Sequence, residues 1–318
     1  MKKIVNYLIY AVLIVGIFFL LNYLLQERII NRFYGGLITL VCINIILAVS
    51  LNLITGFTGQ LCLGHAGFMS IGAYTAAILT SKLQYNFPIA LIAGGVLAAV
   101  VALIVGLPTL KLKGDYFAIT TLGVGEIIRV ILTNIDYTGG PRGFTGIPPK
   151  TTFTWAYFVM VAVVIIVFNI IHSAQGRSMI AVRENEIAAE AMGVNTARYK
   201  VTAFIIAAFL AGVGGGLYAH YSKFLIPSYF DFMKSIEVLT FVVFGGMGSL
   251  SGSIIASGIL TFLPELLRPI KDFRMIIYSI ALIVLMIFRP QGLLGTKEVS
   301  LSVFNKFLKK ESKEGGVV

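Results

Sequence analysis

The chain has 318 residues, of which 58% are hydrophobic and only 12% charged, with a mean hydropathy of +0.91; a soluble globular domain is excluded, since its charged share is about 25%. The formal net charge of +11 would suit a nucleic-acid binder, but the Lys and Arg residues fall in loops and tails between apolar runs, where they report membrane orientation. No RNA-recognition motif, zinc-finger spacing or basic helix accompanies them, and Cys42 and Cys62 support neither a disulfide framework nor a metal cluster.

Apolar runs of about 20 residues cross a hydrocarbon core as helices, and these runs lack the period-two alternation of a barrel. The first, 4–25, follows Lys2 and Lys3 as a signal peptide would, yet it is too long and lacks a small-x-small site, so a retained helix is predicted. Further spans are predicted at 33–54, 61–80, 88–107, 116–133, 153–171, 201–220 and 273–288. A ninth apolar stretch, 236–263, is interrupted by Gly245, Gly246, Gly248 and Gly252. Two short helices joined by Gly and Ser can enter a bilayer and turn back where protein buries the irregular backbone; the contrary reading is an ordinary kinked span.

The predicted fold is therefore an all-α polytopic membrane protein with about eight transmembrane helices plus a glycine-broken re-entrant hairpin. Residues 1–295 form the transmembrane domain and residues 296–318 a basic cytoplasmic tail. The basic residues Arg177, Arg183, Arg198 and Lys200, with Lys297, Lys306, Lys309, Lys310 and Lys313, mark the cytoplasmic side. An even number of spans then puts both termini there, with Lys111 and Lys113, whereas Arg268, Lys271 and Arg274 fall outside.

Several groups inside the spans carry candidate chemistry. Gly56, Gly59 and Gly64, with Gln60 and His65 among them, either pack helices closely or break a helix beside a translocation path. The pattern G-x-x-G-x-L at Gly56 recurs at Gly245, either as interrupted helices do in transporters built from repeats or as a chance similarity between glycine-rich segments. Glu126 and Arg129 stand at i and i+3 on one helical face and neutralise each other; they serve as a structural bridge, a pathway lining or a contact to a partner. Glu237, at the entrance to the hairpin, has the same alternatives.

The charged segment 176–200 is predicted to hold a short helix from Glu186 to Met192, N-capped by Asn185 and ended by Gly193. A second start follows at Asn195 or Thr196. The chain has no G-x-x-x-x-G-K-[ST] loop, H-E-x-x-H or G-x-S-x-G, so ATP hydrolysis would need another subunit and no enzymatic site or cofactor is expected.

Residues 51–60, running from Leu51-Asn52-Leu53 to Thr58-Gly59-Gln60, together with Gly64-His65-Ala66-Gly67, resemble the permease subunits of branched-chain amino acid ABC importers, in particular the longer permease. Tyr116 to Leu122, Gly140-Pro141-Arg142-Gly143, Gly176-Arg177, Arg183-Glu184-Asn185-Glu186 and Arg289-Pro290-Gln291-Gly292 extend the resemblance. In ABC importers an E-A-A-x-x-x-G coupling helix docks into the ATPase, and Ala188, Ala189 and Gly193 match it; Ile187 holds the glutamate position, with Glu186 one residue earlier. The resemblance implies ATPase coupling through Arg183, Glu184, Glu186, Ala188, Ala189 and Gly193. It also implies a second homologous permease, two ABC ATPase subunits and an extracytoplasmic solute-binding protein, all at a bacterial inner membrane. The rival readings are a permease for urea or short amides and a stand-alone secondary transporter or channel, in which the broken helices and the Glu126–Arg129 pair act alone.

Overall fold

The computed structural model describes residues 2–27, 29–109, 114–267, 279–280, 283–284, 287–289, 291–295 and 298. Lys111, Lys113, Arg268, Lys271, Arg274, most of the predicted span 273–288 and the predicted tail 296–318 apart from Glu298 lie outside the described residues.

Among the described residues the helices are α1 Lys2–Gln26, α2 Arg32–Thr55, α3 His65–Ser81, α4 Phe87–Thr109, α5 Asp115–Asn134, α6 Phe153–His172, α7 Ala174–Glu184, α8 Glu186–Ala191, α9 Thr196–Ser222, α10 Phe232–Gly245 and α11 Leu250–Leu266. Five of them, α2, α4, α5, α6 and α9, are long and apolar enough to cross a membrane. The protein is all-α and polytopic, as its composition dictates.

Helix α2 is apolar on every side and is buried at every position from Cys42 to Thr55, so it forms the axis of the bundle. Helices α4 and α6 instead turn Ile104 and Phe158 outward, as lipid-facing helices do. Lipid offers no hydrophobic gain for helix association, so close backbone packing has to supply it. At the crossing of α3 and α9 a Cβ on Gly72 would stand 2.0 Å from the Gly212 carbonyl oxygen, a separation only two glycines allow.

Three departures from the predicted elements have physical causes. Helix α3 begins at His65 rather than at 61, because 56–64 is unwound and satisfies its backbone locally, with Phe57 N donating to Asn52 O and Gln60 N to Ile54 O. Helix α7 lies within what the sequence presents as a charged loop. Ser173 caps it by accepting from Gly176 N at 3.2 Å, and Met179 and Val182 bury one narrow stripe. The interrupted stretch 236–263 resolves into α10 and α11 with the break at 246–249, where Gly246 and Gly248 adopt φ of +113° and +86°. Asn44 Nδ2 donates to Thr261 Oγ1 and Asn52 Nδ2 to Ser253 Oγ, so α11 runs antiparallel to α2.

Candidate functional site

One end of the bundle gathers the unwound segment after α2, the α10–α11 break and the α7–α8 elbow. Helix α8 forms where the sequence places it. Asn185 Oδ1 accepts from Ala188 N at 3.0 Å. Gly193, at φ +81°, closes the other end as Val194 N donates to Ala189 O at 3.0 Å and Gly193 N to Glu190 O at 2.9 Å. Asn195 starts α9 in the same manner, its Oδ1 accepting from Arg198 N.

The acids of α8 bond to the foot of α9. Glu186 pairs with Lys200 Nζ at 2.7 Å, and that lysine side chain is only 8% exposed, so the pair ties α8 to the foot of α9. Glu190 Oε1 accepts from Thr196 Oγ1 at 2.7 Å. Ala189 is buried while Ala188 is exposed. Two large apolar side chains are turned outward: Ile187 and Met192 are 76% and 84% exposed. Motif matching favours the alanines and passes over these two, although an isoleucine at the glutamate position is itself the signal.

Arg183 joins three segments. Its Nη1 donates to Gly56 O at 2.9 Å, its Nη2 meets Glu184 at 2.5 Å, and its aliphatic stem lies against Gly59. A Cβ on Gly248 would stand 2.4 Å from Nη1, and one on Gly56 would stand 2.3 Å from Gly248 N. The two segments that share the G-x-x-G-x-L pattern therefore touch. Asn52 holds them, accepting from Gly248 N and donating to Ser249 O and Ser253 Oγ, each at 2.9 Å. A cavity of about 420 Å³ opens between Gly59, Gln60, Phe117, Arg183, Ile187 and Lys200.

The end of the described chain closes over the break. Leu293 N donates to Phe244 O and Leu294 N to Gly245 O. Glu298 accepts from Leu250 N at 2.6 Å, Ser251 N at 3.1 Å and Ser251 Oγ at 2.6 Å, at the start of α11.

Apart from Gln60 at the cavity, the remaining candidates fall elsewhere. His65 is 1% exposed, and its Nε2 meets Ser50 Oγ at 2.9 Å inside the bundle. Gln60 is 7% exposed, and Gly64 lies against the Thr121 carbonyl of α5. Glu237 pairs with Lys234 on α10 at 3.0 Å. Glu126 Oε2 and Arg129 Nε stand 2.7 Å apart on α5, their side chains 34% and 32% exposed. Among the described residues no group of three His, Cys, Asp or Glu side chains is placed to hold a metal.

Residues 33–289 match the family described as "Branched-chain amino acid transport system / permease component". The high-affinity branched-chain amino acid transport system permease protein LivM of Escherichia coli K12 is 36% identical over 317 residues, covering 89% of this chain and 75% of that protein. LivM of Salmonella typhimurium LT2 is 36% identical over 300 residues, covering 83% and 71%. LivH of Escherichia coli K12, also a high-affinity branched-chain amino acid transport system permease protein, is 25% identical over 303 residues, covering 85% and 96%. No solved structure matches at a significant level.

Proposed function

Because the chain belongs to the family of branched-chain amino acid transport system permease components, we propose that it is a permease subunit of an ABC importer, forming half of the pathway for leucine, isoleucine or valine. A second, homologous permease supplies the other half, two ABC ATPases hydrolyse ATP, and an extracytoplasmic binding protein delivers the substrate. The chain is a multi-pass subunit of the bacterial cytoplasmic membrane, with both termini inside, α10–α11 as a re-entrant hairpin and no catalysis of its own.

The observation that carries the coupling part of this reading is the exposure of Ile187 on α8 and of Met192 at its C-cap. Ile187 and Met192 stand free at a charged, water-facing end of the bundle, which is a costly place for apolar groups unless a partner covers them. The Glu186–Lys200 pair and the Arg183 contact to Gly56 make α8 rigid with α9 and α2, so a displacement of α8 reaches the helix breaks.

The test is a pull-down of the tagged chain from its native membrane, comparing wild type with Ile187→Glu and Met192→Glu. A P-loop ATPase should co-purify with wild type and be lost from the variants, with the second permease retained. If wild type emerges alone and still moves solute in liposomes without ATP, the importer assignment falls and a secondary transporter takes its place.

A further inference from the structure

We propose that the Glu126–Arg129 pair is a station for the zwitterionic head of the transported amino acid, the substrate ammonium replacing Arg129 on Glu126 and the substrate carboxylate replacing Glu126 on Arg129. The inference rests on the transport function proposed above and adds the residues that would handle the substrate's charges.

Placement comes first. Glu126 and Arg129 lie in the middle of α5, an apolar helix long enough to span the membrane, yet both side chains keep about a third of their surface uncovered. Charges at that depth cost about 2.5–3.5 kcal/mol each against lipid, so the face that bears them belongs to a polar, protein-lined space. The neighbouring residue Gly125 packs α5 against the end of the unwound stretch, which sets the pair beside it. A Cβ on Gly125 would stand 3.2 Å from Gly64 Cα, at the end of the unwound stretch, and Leu63 N donates to Thr121 Oγ1 one turn earlier. Irregular backbone at membrane depth is stable only when buried in protein or beside a water-filled cavity.

Chemistry comes second. One carboxylate and one guanidinium at i and i+3 present the two charges that complement an α-amino acid zwitterion. Gly123 leaves open room one turn before Glu126, and Ile127 and Val130 offer exposed apolar surface for an aliphatic side chain. With no substrate present the two residues satisfy each other at 2.7 Å, as the structure records. Arrival of a zwitterion exchanges one ion pair for two, and departure restores it, so neither residue is left buried without a partner. Binding of this kind is weak enough to release its cargo, as a pathway requires.

The test reconstitutes the complete complex in proteoliposomes with its binding protein and ATP and follows labelled leucine. It compares wild type with Glu126→Gln, Arg129→Gln and the exchanged pair Glu126→Arg/Arg129→Glu. Each neutralisation should lower the maximal uptake rate by about tenfold, leaving subunit composition intact and the KM for loaded binding protein within about twofold. The exchanged pair preserves the mutual attraction but reverses the polarity offered to substrate, so it should assemble and remain as slow as the single variants. Wild-type uptake in either neutralised variant, or full rescue by the exchanged pair, would overturn the station and leave a structural bridge. Should a single neutralisation fail to assemble, the exchanged pair decides alone. Wild-type vesicles that take up no leucine would overturn the transport function itself, an outcome separate from any behaviour of the variants.

Discussion

Arg183, in the last turn of α7, donates from Nη1 to the carbonyl oxygen of Gly56, 2.9 Å away and 127 residues earlier, where α2 unwinds. A single guanidinium thus spans the interval between the α7–α8 elbow and the irregular end of the central helix. The bond is charge-assisted and partly buried, which places its contribution at about 1.5–3 kcal/mol.

Removing it should uncouple rather than unfold. In Arg183→Ala the ATPase subunits should still co-purify, because Ile187 and Met192 are untouched. Stimulation of ATP hydrolysis by loaded binding protein should fall by about tenfold. Basal and stimulated ATPase rates, measured side by side on the reconstituted complex, check this; equal stimulation in wild type and variant would refute it.

Asn52→Leu should destabilise the fold itself. The substitution strands Gly248 N inside the bundle and takes one bond each from Ser249 O and Ser253 Oγ, which keep their bond to each other. Each stranded buried group costs about 1–3 kcal/mol. Thermal unfolding in detergent should show a lower midpoint for Asn52→Leu than for Ser253→Ala, which loses only one of the three bonds.

The glycines of the bundle should divide into two classes under substitution. Gly72→Val pushes side-chain atoms into the Gly212 backbone and should abolish recovery of folded protein. Gly258→Ala, on α11 where a Cβ meets nothing within 4 Å, should change stability by no more than about 1 kcal/mol. Yields and monodispersity on size exclusion report both.

Glu298→Gln should loosen the start of α11. The carboxylate accepts from two amides and one hydroxyl there, and a carboxamide accepts less strongly. Faster hydrogen exchange at Leu250 and Ser251, with exchange in α2 unchanged, is the expected result.

The long apolar helices were legible in the sequence because their signal is their composition, and the ends of α2, α4, α5 and α6 fall within two residues of the predicted spans. Helix α8 was legible because Asn185 and Gly193 are local devices that act within one turn. Helix α7 was not, since its one apolar run, Met179 to Val182, is too short to show a helical period. Gly56 and Gly248 share a pattern of glycines, but their contact and its clamp by Arg183, which the resemblance marks only as a coupling residue and whose bond to Gly56 spans 127 residues, have no local signal. Glu186 illustrates the same limit. Its spacing matched a docking motif imperfectly, and only the fold reveals that Lys200 holds it inward.

The polar partners of α2 have a bearing on how the protein is made. Asn44 bonds Thr261 and Asn52 bonds Ser253, at sequence separations of 217 and 201 residues. Helix α2 is among the first segments to leave the ribosome, and α11 is among the last of those described. The central helix therefore enters the bilayer with its amides unmet, and it acquires its final neighbours only after most of the polypeptide has been synthesised. These two bonds of the central helix close only once α11 is present, and a chain truncated before α11 leaves its own axis incomplete.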